Sequence, residues 1–271
     1  MPVPVNLSVS DITATSVRLN WVRWTPIQLF LAGEQGAWYD PSDLSTMFQD
    51  AAGTIPVTAD GDPVGLMLDK SGNGNNASQS VSGSRPVYRT DGTLHWLEFD
   101  GVDDSLAVSV IDFTATDKIT AVTGIKKQLD STSIVFETSS DSFNTDGSFS
   151  LIAASGSGTN SYRVISRGSN PIFTGSGSFA PAPDTSVVSL ITDILNKILK
   201  LRRNSTLVES NGGSQGIGNY GNHALYIGSR AGTSFFFTGN LYSLAIRGFE
   251  TTAQDLDLAE QYTAEKTGVS L

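Results

Sequence analysis

The sequence predicts an all-β protein: a sandwich of two antiparallel sheets with a short N-terminal β arm and a C-terminal helix. Three features carry that expectation. Short segments in which every second residue is apolar recur along the chain, as in strands whose side chains point alternately to a buried and a wet face. Between them lie turns rich in Gly, Ser, Asn and Asp, spaced too closely to admit the helices of a βαβ fold. Only 16% of the 271 residues are charged and 27 are glycine, which suits many short strands joined by turns.

The chain divides into an arm (1–24), a connector (25–36) and a main domain (37–271). In the arm, Leu7 and Val9, then Val17, Leu19 and Trp21, alternate about a turn at 11–16 and read as two strands. Two strands alone are marginal in water. Leu7, Val17, Leu19 and Trp21 are therefore expected to finish their burial against another chain or the main domain. The connector has an apolar centre at Ile27, Leu29, Phe30 and Leu31.

At the start of the main domain, Asp40 as N-cap and Pro41 as first helical residue predict a short helix, with Leu44, Met47 and Phe48 as its apolar side. Val64, Leu66 and Leu68 alternate into a turn at Asp69. Residues 94–111 place Leu97 and Phe99 before Asp100-Gly101-Val102-Asp103-Asp104, and Leu106, Val108 and Val110 after it. That pattern predicts a β-hairpin with one buried face. Strands follow at 120–125, 133–137, 149–153 and 162–166, parted by loops at 141–147, 155–161 and 168–178.

In 187–201, Val187, Ile191, Ile194, Leu195, Ile198 and Leu199 fit a helical stripe. Tyr242, Leu244 and Ile246 alternate as a strand at 242–246. Thr251 or Thr252 caps a last helix with Leu256, Ala259 and Tyr262 on one side, and Gly268 stops it.

Residues 69–77, Asp-Lys-Ser-Gly-Asn-Gly-Asn-Asn-Ala, and then 97–104, Leu-Glu-Phe-Asp-Gly-Val-Asp-Asp, resemble the signature of the concanavalin A-like (laminin G-like) jelly rolls. That signature reads D-x-S-G-N-G-N-x-A and then L-x-F-D-G-x-D-D. The closing run 259–268, A-E-x-Y-x-A-x-K-x-G, is similar to the helix that closes phage-borne members. The likeness covers roughly residues 37–268. It implies a jelly roll with its last strands at 224–228 and 242–246, and it implies two strands about Asn196-Lys197 where the residues alone fit a helix. Residues 2–24 resemble the first two strands of a fibronectin type III domain whose remaining strands are absent.

A formal net charge of −10 repels a nucleic-acid backbone, so Lys197, Lys200, Arg202 and Arg203 read as a solvated strand face. The absence of cysteine excludes disulfides, thiolate metal sites and a Cys nucleophile, and fits synthesis in a reducing cytosol. No leader opens the chain and no apolar run approaches a membrane span. With the phage-type resemblance, these points imply a protein made in the host cytoplasm and displayed on the virion surface. Such a protein would be a homo-oligomer or assembly component, held to other virion proteins through residues 1–36, with no nucleic-acid or membrane partner.

Glu98 and Asp100 stand in a run similar to the E-x-D-x-x-E of laminarinase-type glucanases that share the fold. Retaining hydrolysis needs two carboxyls about 5 to 5.5 Å apart. The competing reading is that Asp100, Asp103 and Asp104 shape a tight turn by accepting from nearby amides. Asp69-x-Ser71-x-Asn73-Gly74 matches half of an EF-hand loop but has Ser80 where the bidentate acid belongs, so it reads as a turn. No cofactor is expected from the residues themselves. Many laminin G-like domains hold calcium at a loop rim, a role that would fall here to Asp141 and Asp146.

Gly212-Gly213-Ser214-Gln215-Gly216 matches a nucleophile elbow, but no helix can follow it. His95 and His223, the only two histidines, build no triad or metal site. No catalytic residue is assigned. The loop residues Asn144, Asn170, Phe173, Asn219, Tyr220 and Asn222 suit sugar recognition, in which amides bond hydroxyls and a ring lies against the sugar's apolar face. They equally suit ordinary turns. The expected function is therefore non-enzymatic adhesion to host or environmental glycans as a tail-fibre or capsid-decoration component. The alternatives are a structural virion module that binds no sugar and a glycan hydrolase using Glu98 and Asp100.

Overall fold

The computed structural model describes residues 5–13, 16–154, 160–169 and 173–271, with side chains for 23–154, 160–169 and 180–271. The arm is a hairpin of β1 (Val5–Thr13) and β2 (Ser16–Arg23), with Leu7 opposite Trp21 and Val9 opposite Leu19. It forms a two-stranded sheet of its own. The side chains of Leu7, Val17, Leu19 and Trp21 lie outside the described residues.

The main domain contributes β3 (Gly36–Tyr39), β4 (Met47–Phe48), β5 (Leu66–Met67), β6 (Ala77–Ser78), β7 (Val87–Thr90), β8 (His95–Asp100), β9 (Leu106–Asp112) and β10 (Lys118–Lys127). It continues with β11 (Ser133–Thr138), β12 (Ser148–Ala154), β13 (Ser161–Arg167), β14 (Phe173–Phe179), β15 (Asp184–Asp193) and β16 (Ile198–Arg203). The last strands are β17 (Thr206–Asn211), β18 (Asn222–Ile227) and β19 (Thr238–Arg247), followed by the helix α1 (Ala253–Thr267).

Two antiparallel sheets result. The first runs β17-β16-β15-β10-β19-β8-β7, with β3 pairing the far half of β19; the second runs β14-β13-β12-β11-β18-β9-β6-β5-β4. The core between them includes Tyr39, Leu97, Phe99, Leu106, Val108, Phe136, Phe149 and Leu244, all buried. This is the expected two-sheet sandwich.

The stretch 94–111 is not a hairpin. β8 pairs with β7 and β19, while β9 pairs with β18 and β6, so the acidic turn carries the chain from one sheet to the other. Alternation fixes only that Leu97, Phe99, Leu106 and Val108 share a buried side. Strands facing each other across a core satisfy that as well as strands side by side.

Residues 187–201 are the two strands the family resemblance implied, parted by a turn at 194–197. Consecutive Val187 and Val188 are both buried, because β15 is covered on both faces: the sandwich core on one side and α1 on the other. A strand covered on both faces carries apolar residues at neighbouring positions, which is why it imitates a helical stripe.

Two local expectations are corrected. Asp40 does not start a helix: its Oδ1 accepts from the Ser42 amide (3.0 Å) and hydroxyl (2.6 Å), a single 3-10 turn spans Leu44–Thr46, and Met47–Phe48 is strand. The expected loop 168–178 holds β14, which pairs antiparallel with β13; its Gly and Ser content hides an edge strand with aromatic ends.

The Asp69 turn is a clasp. Asp69 accepts from the Trp38 amide (2.9 Å) and from Ser71 and Asn75, while the Asn73 and Asn75 amides donate to the Gly36 carbonyl at 3.1 and 2.7 Å. It thereby fastens β3 to the sheet.

The helix α1 begins at Thr252, whose hydroxyl accepts from the Asp255 amide, and ends at Gly268 with φ of 72°, a left-handed position that glycine adopts without strain. Leu256, Ala259 and Tyr262 pack with Val122, Val187 and Ala245 of the first sheet and with Trp24, Leu29, Phe30 and Trp38. The Tyr262 hydroxyl donates to buried Asp40 (2.6 Å), and Lys266 lies 3.3 Å from the same carboxylate. Burial works to raise the Asp40 pKa, but Lys266 and the Ser42 and Tyr262 hydrogen bonds outweigh it, and the pKa falls below the ordinary carboxylate value.

Candidate functional site

The turns at one end of the sandwich are knitted by backbone hydrogen bonds. Gly221 donates to Gly147 (2.7 Å), Gly168 to Gln215 (2.7 Å), Phe113 to Gly221 (3.1 Å), Tyr220 to Thr116 (2.8 Å) and Ile194 to Asp117 (2.9 Å). Asn144, in the loop before β12, and Asn219 and Asn222, in the turn before β18 and at its first residue, are exposed at this end. The Asn219 amide donates to the Thr114 carbonyl (2.7 Å), and Asn222 stands opposite Asp112 across β18 and β9. Asn144 donates to Asp141 (2.6 Å).

The remaining three expected ligands fare differently. Tyr220 is 1% exposed and its hydroxyl bonds Ser166 (2.5 Å) and Thr192 (2.6 Å), with its ring edge-on to Phe149. It is a core residue that props up the loop, and a sugar cannot reach its ring. Asn170 lies outside the described residues, and Phe173 is in β14 with its side chain undescribed.

Beside these loops is a groove of about 350 Å³, lined among others by Glu34, Asp112, Thr116, Asp117, Lys118 and Phe249. Phe249 is 53% exposed and its ring lies 5.1 Å from the Arg247 guanidinium. It is presented by Gly248, which packs so closely on Phe113 that an added Cβ would lie 2.7 Å from the ring. Lys118 bonds Asp193 (2.6 Å) and Asp117 (3.3 Å); burial works to lower its pKa, and the two carboxylates outweigh it and raise the pKa.

Glu34 accepts from Arg247 and from the Ala32 amide. Burial works to raise its carboxyl, and Arg247 leads the contacts that bring it below the usual value. The groove thus offers an apolar ring beside fixed carboxylates and an ammonium, the mixture a polyhydroxylated ligand needs. Sequence reasoning passed over Glu34, Lys118 and Phe249; the one local signal was an aromatic next to glycine in the turn after the last strand.

Asp141 and Asp146 do not fit calcium. Asp141 faces Arg230 (3.5 Å) and caps the Phe143 amide, while Asp146 pairs with Arg167 (2.9 Å). Calcium needs six or more oxygen ligands free of such competitors. Asp100, Asp103 and Asp104 do bring oxygens within 4.8 Å of one another, but they are engaged in the turn: Asp100 accepts from the Val102 amide (2.8 Å), Asp104 from the Asp100 amide (3.0 Å) and Asp103 from the Ser84 hydroxyl (2.8 Å). Glu98 is exposed and paired with Arg89 (2.6 Å). His95 bonds the Tyr88 hydroxyl (2.6 Å), and His223 the Asp146 carbonyl (2.9 Å).

Burial, with Asp100, Asp103 and Glu98 close by, raises the Asp104 pKa to about 7. A carboxyl whose folded pKa lies above its unfolded one holds its proton more tightly when folded, so its contribution to stability is lost as pH rises from about 4 to 7. Asp104→Asn keeps an acceptor for the Asp100 amide. Its melting temperature is expected to exceed the parent's at pH 8, with the gap closing by pH 4; an equal difference at both values would exclude this titration.

No protein-family model matches the chain, and no curated protein matches it in sequence. Solved structures share its fold. Domain 4 of AbnA, a GH43 extracellular arabinanase from Geobacillus stearothermophilus in complex with arabinotriose, has a TM-score of 0.53 at 16% identity over 83% of this chain and 98% of that one. A GH54 α-L-arabinofuranosidase has a TM-score of 0.62 at 13% identity over 90% of this chain and 66% of that one. Botulinum neurotoxin type C, whose cell entry depends on interaction with two ganglioside molecules, has a TM-score of 0.55 at 11% identity over 85% and 51%. The chain spans nearly all of the arabinanase domain but only about half of the neurotoxin chain. At such identities the likeness is one of fold, and function rests on the site.

Proposed function

We propose that this protein is a non-enzymatic glycan-binding module whose sugar lies in the groove beside Phe249. The exposed Phe249 ring, set among Glu34, Asp112, Asp117 and Lys118, carries the reading. A sugar's C–H face would cover the ring while its hydroxyls bond the charged groups, with Asn219 and Asn222 on the neighbouring rim. The fold's occurrence in an arabinanase domain bound to arabinotriose and in a ganglioside-dependent toxin supports it. The finer reading is a phage-type concanavalin A-like jelly roll on the virion surface, in a tail fibre or capsid decoration, attached through residues 1–36; its support is the sequence resemblance alone.

Catalysis by Glu98 and Asp100 is disfavoured, because Glu98 is held by Arg89 and Asp100 is spent on turn amides. Incubation with β-glucans and capsular polysaccharides is expected to release no reducing ends. Release that disappears in Glu98→Gln would replace this reading with the hydrolase.

On a glycan array the protein is expected to bind a restricted set of sugars, and Phe249→Ala to weaken that binding about tenfold or more, as loss of an aromatic anchor does. Binding of no glycan by the parent would favour the structural virion module. Undiminished binding by Phe249→Ala would move the site elsewhere.

A further inference from the structure

A second recess lies on the second sheet, over β11, β12 and β13. Ile134, Ile152 and Ile165 form a small apolar cluster of their own, apart from the core between the sheets, with Phe143 packed against it. Ile134 pairs with Ile152 across β11 and β12, and Ile152 with Arg163 across β12 and β13, so a cation stands next to the two isoleucines in the row. A cavity of about 150 Å³ opens over this row, with Thr132, Arg230 and Phe235 also on its walls.

Its two arginines are not equivalent. Arg230 is neutralised: it grips buried Glu137 through two 3.0 Å hydrogen bonds, between the rings of Phe143 (5.2 Å) and Phe235 (4.9 Å). The Arg163 Nε is buried without a hydrogen-bond partner among the described residues. An orphaned charged donor is costly and calls for a partner.

Phe235 adds a second, independent mark. It has φ of 51°, a left-handed conformation that is a strained outlier for a bulky side chain and collects at ligand clamps. The Phe235 carbonyl accepts from the Ile134 amide (2.8 Å), which holds the backbone there, while Phe235 as a residue stays 43% exposed on the cavity wall.

We propose that this recess binds a compact monocarboxylate with an apolar body, its carboxylate on Arg163 and its body on the isoleucines beneath Phe235. A neutral sugar would leave its hydroxyls unpaired on that floor. A polyanion would meet a chain of net charge −10. The volume suits one ring, since a cavity of about 150 Å³ takes up benzene.

Benzoate is the probe, with benzyl alcohol as its uncharged counterpart, in calorimetric titrations of the full chain. Benzoate is expected to saturate one site in the millimolar range or tighter. Benzyl alcohol, and benzoate with Arg163→Met, should each bind about tenfold more weakly, the factor that loss of a charge-assisted hydrogen bond gives. Phe235→Gly should weaken binding while the melting temperature holds or rises, because glycine adopts that φ freely. Absence of saturable benzoate binding, equal binding of the alcohol, or an unchanged affinity in either variant would each overturn the proposal. The benzoate and alcohol comparison on the unaltered chain decides it even if Arg163→Met fails to fold.

Discussion

Phe99→Ala is expected to remove about 3 to 5 kcal/mol of unfolding free energy, the range for deleting a buried phenyl ring. Phe99 is 1% exposed on β8, and its ring lies 6.1 Å from that of Phe237. It also presses on Gly228, where an added Cβ would come within 2.4 Å of the ring and where φ is +84°. The surroundings cannot collapse into the space, because the Gly228 amide and carbonyl are bonded to Val135 and Phe237. Urea unfolding measures the effect, and a loss below about 1.5 kcal/mol would place the ring outside a close-packed core. Gly228→Ala should be less damaging in the Phe99→Ala background than alone, since one of its two penalties, the clash, is then gone.

Arg230→Met is expected to cost about 3 to 5 kcal/mol by stranding a buried carboxylate. Glu137 is fully buried, and its charge is balanced by the bidentate Arg230 pair and by the Ser142 amide, which donates to it at 2.8 Å. With Arg230 gone, the amide alone cannot offset the desolvation of the charge. Glu137→Gln in the same chain removes that charge and keeps an acceptor for Ser142, so the double variant should recover more than half of the loss. A double-mutant cycle reads the coupling directly. Additive effects of the two substitutions would mean that the pair contributes nothing as a pair.

The sites divide according to how local their signals are. The acidic turn after Phe99 was legible as turn chemistry, because an Asp side chain reaches amides two or three residues away. Asn144 and Asn219 are exposed turn residues, as their local sequence reads, whereas Asn222, read as a loop residue, is the exposed first residue of β18. Tyr220 was misjudged because nothing beside it in sequence shows that Ser166 and Thr192, from two different strands, take its hydroxyl. The calcium role that the resemblance would assign to Asp141 and Asp146 meets an obstacle invisible locally: their arginine partners, Arg230 and Arg167, come from distant segments. Phe249, Arg163 and Phe235 gain their interest only from what lies across from them.

What the sequence determined by itself is the inventory: strands from alternation, turns from Gly, Asn and Asp, and a last helix from its Thr252 cap and Gly268 stop. Tertiary structure alone decided which strands lie side by side, sending β8 and β9 to opposite sheets, and it shows at 187–201 the two strands that the family resemblance implied where the residues alone fit a helical stripe. The physical reason is that side-chain period is a property of a few neighbouring residues. Strand pairing and two-sided burial are settled by covering apolar faces contributed by segments far apart in the chain, as β8 and β9 are from β19 and β18, and β15 is from α1.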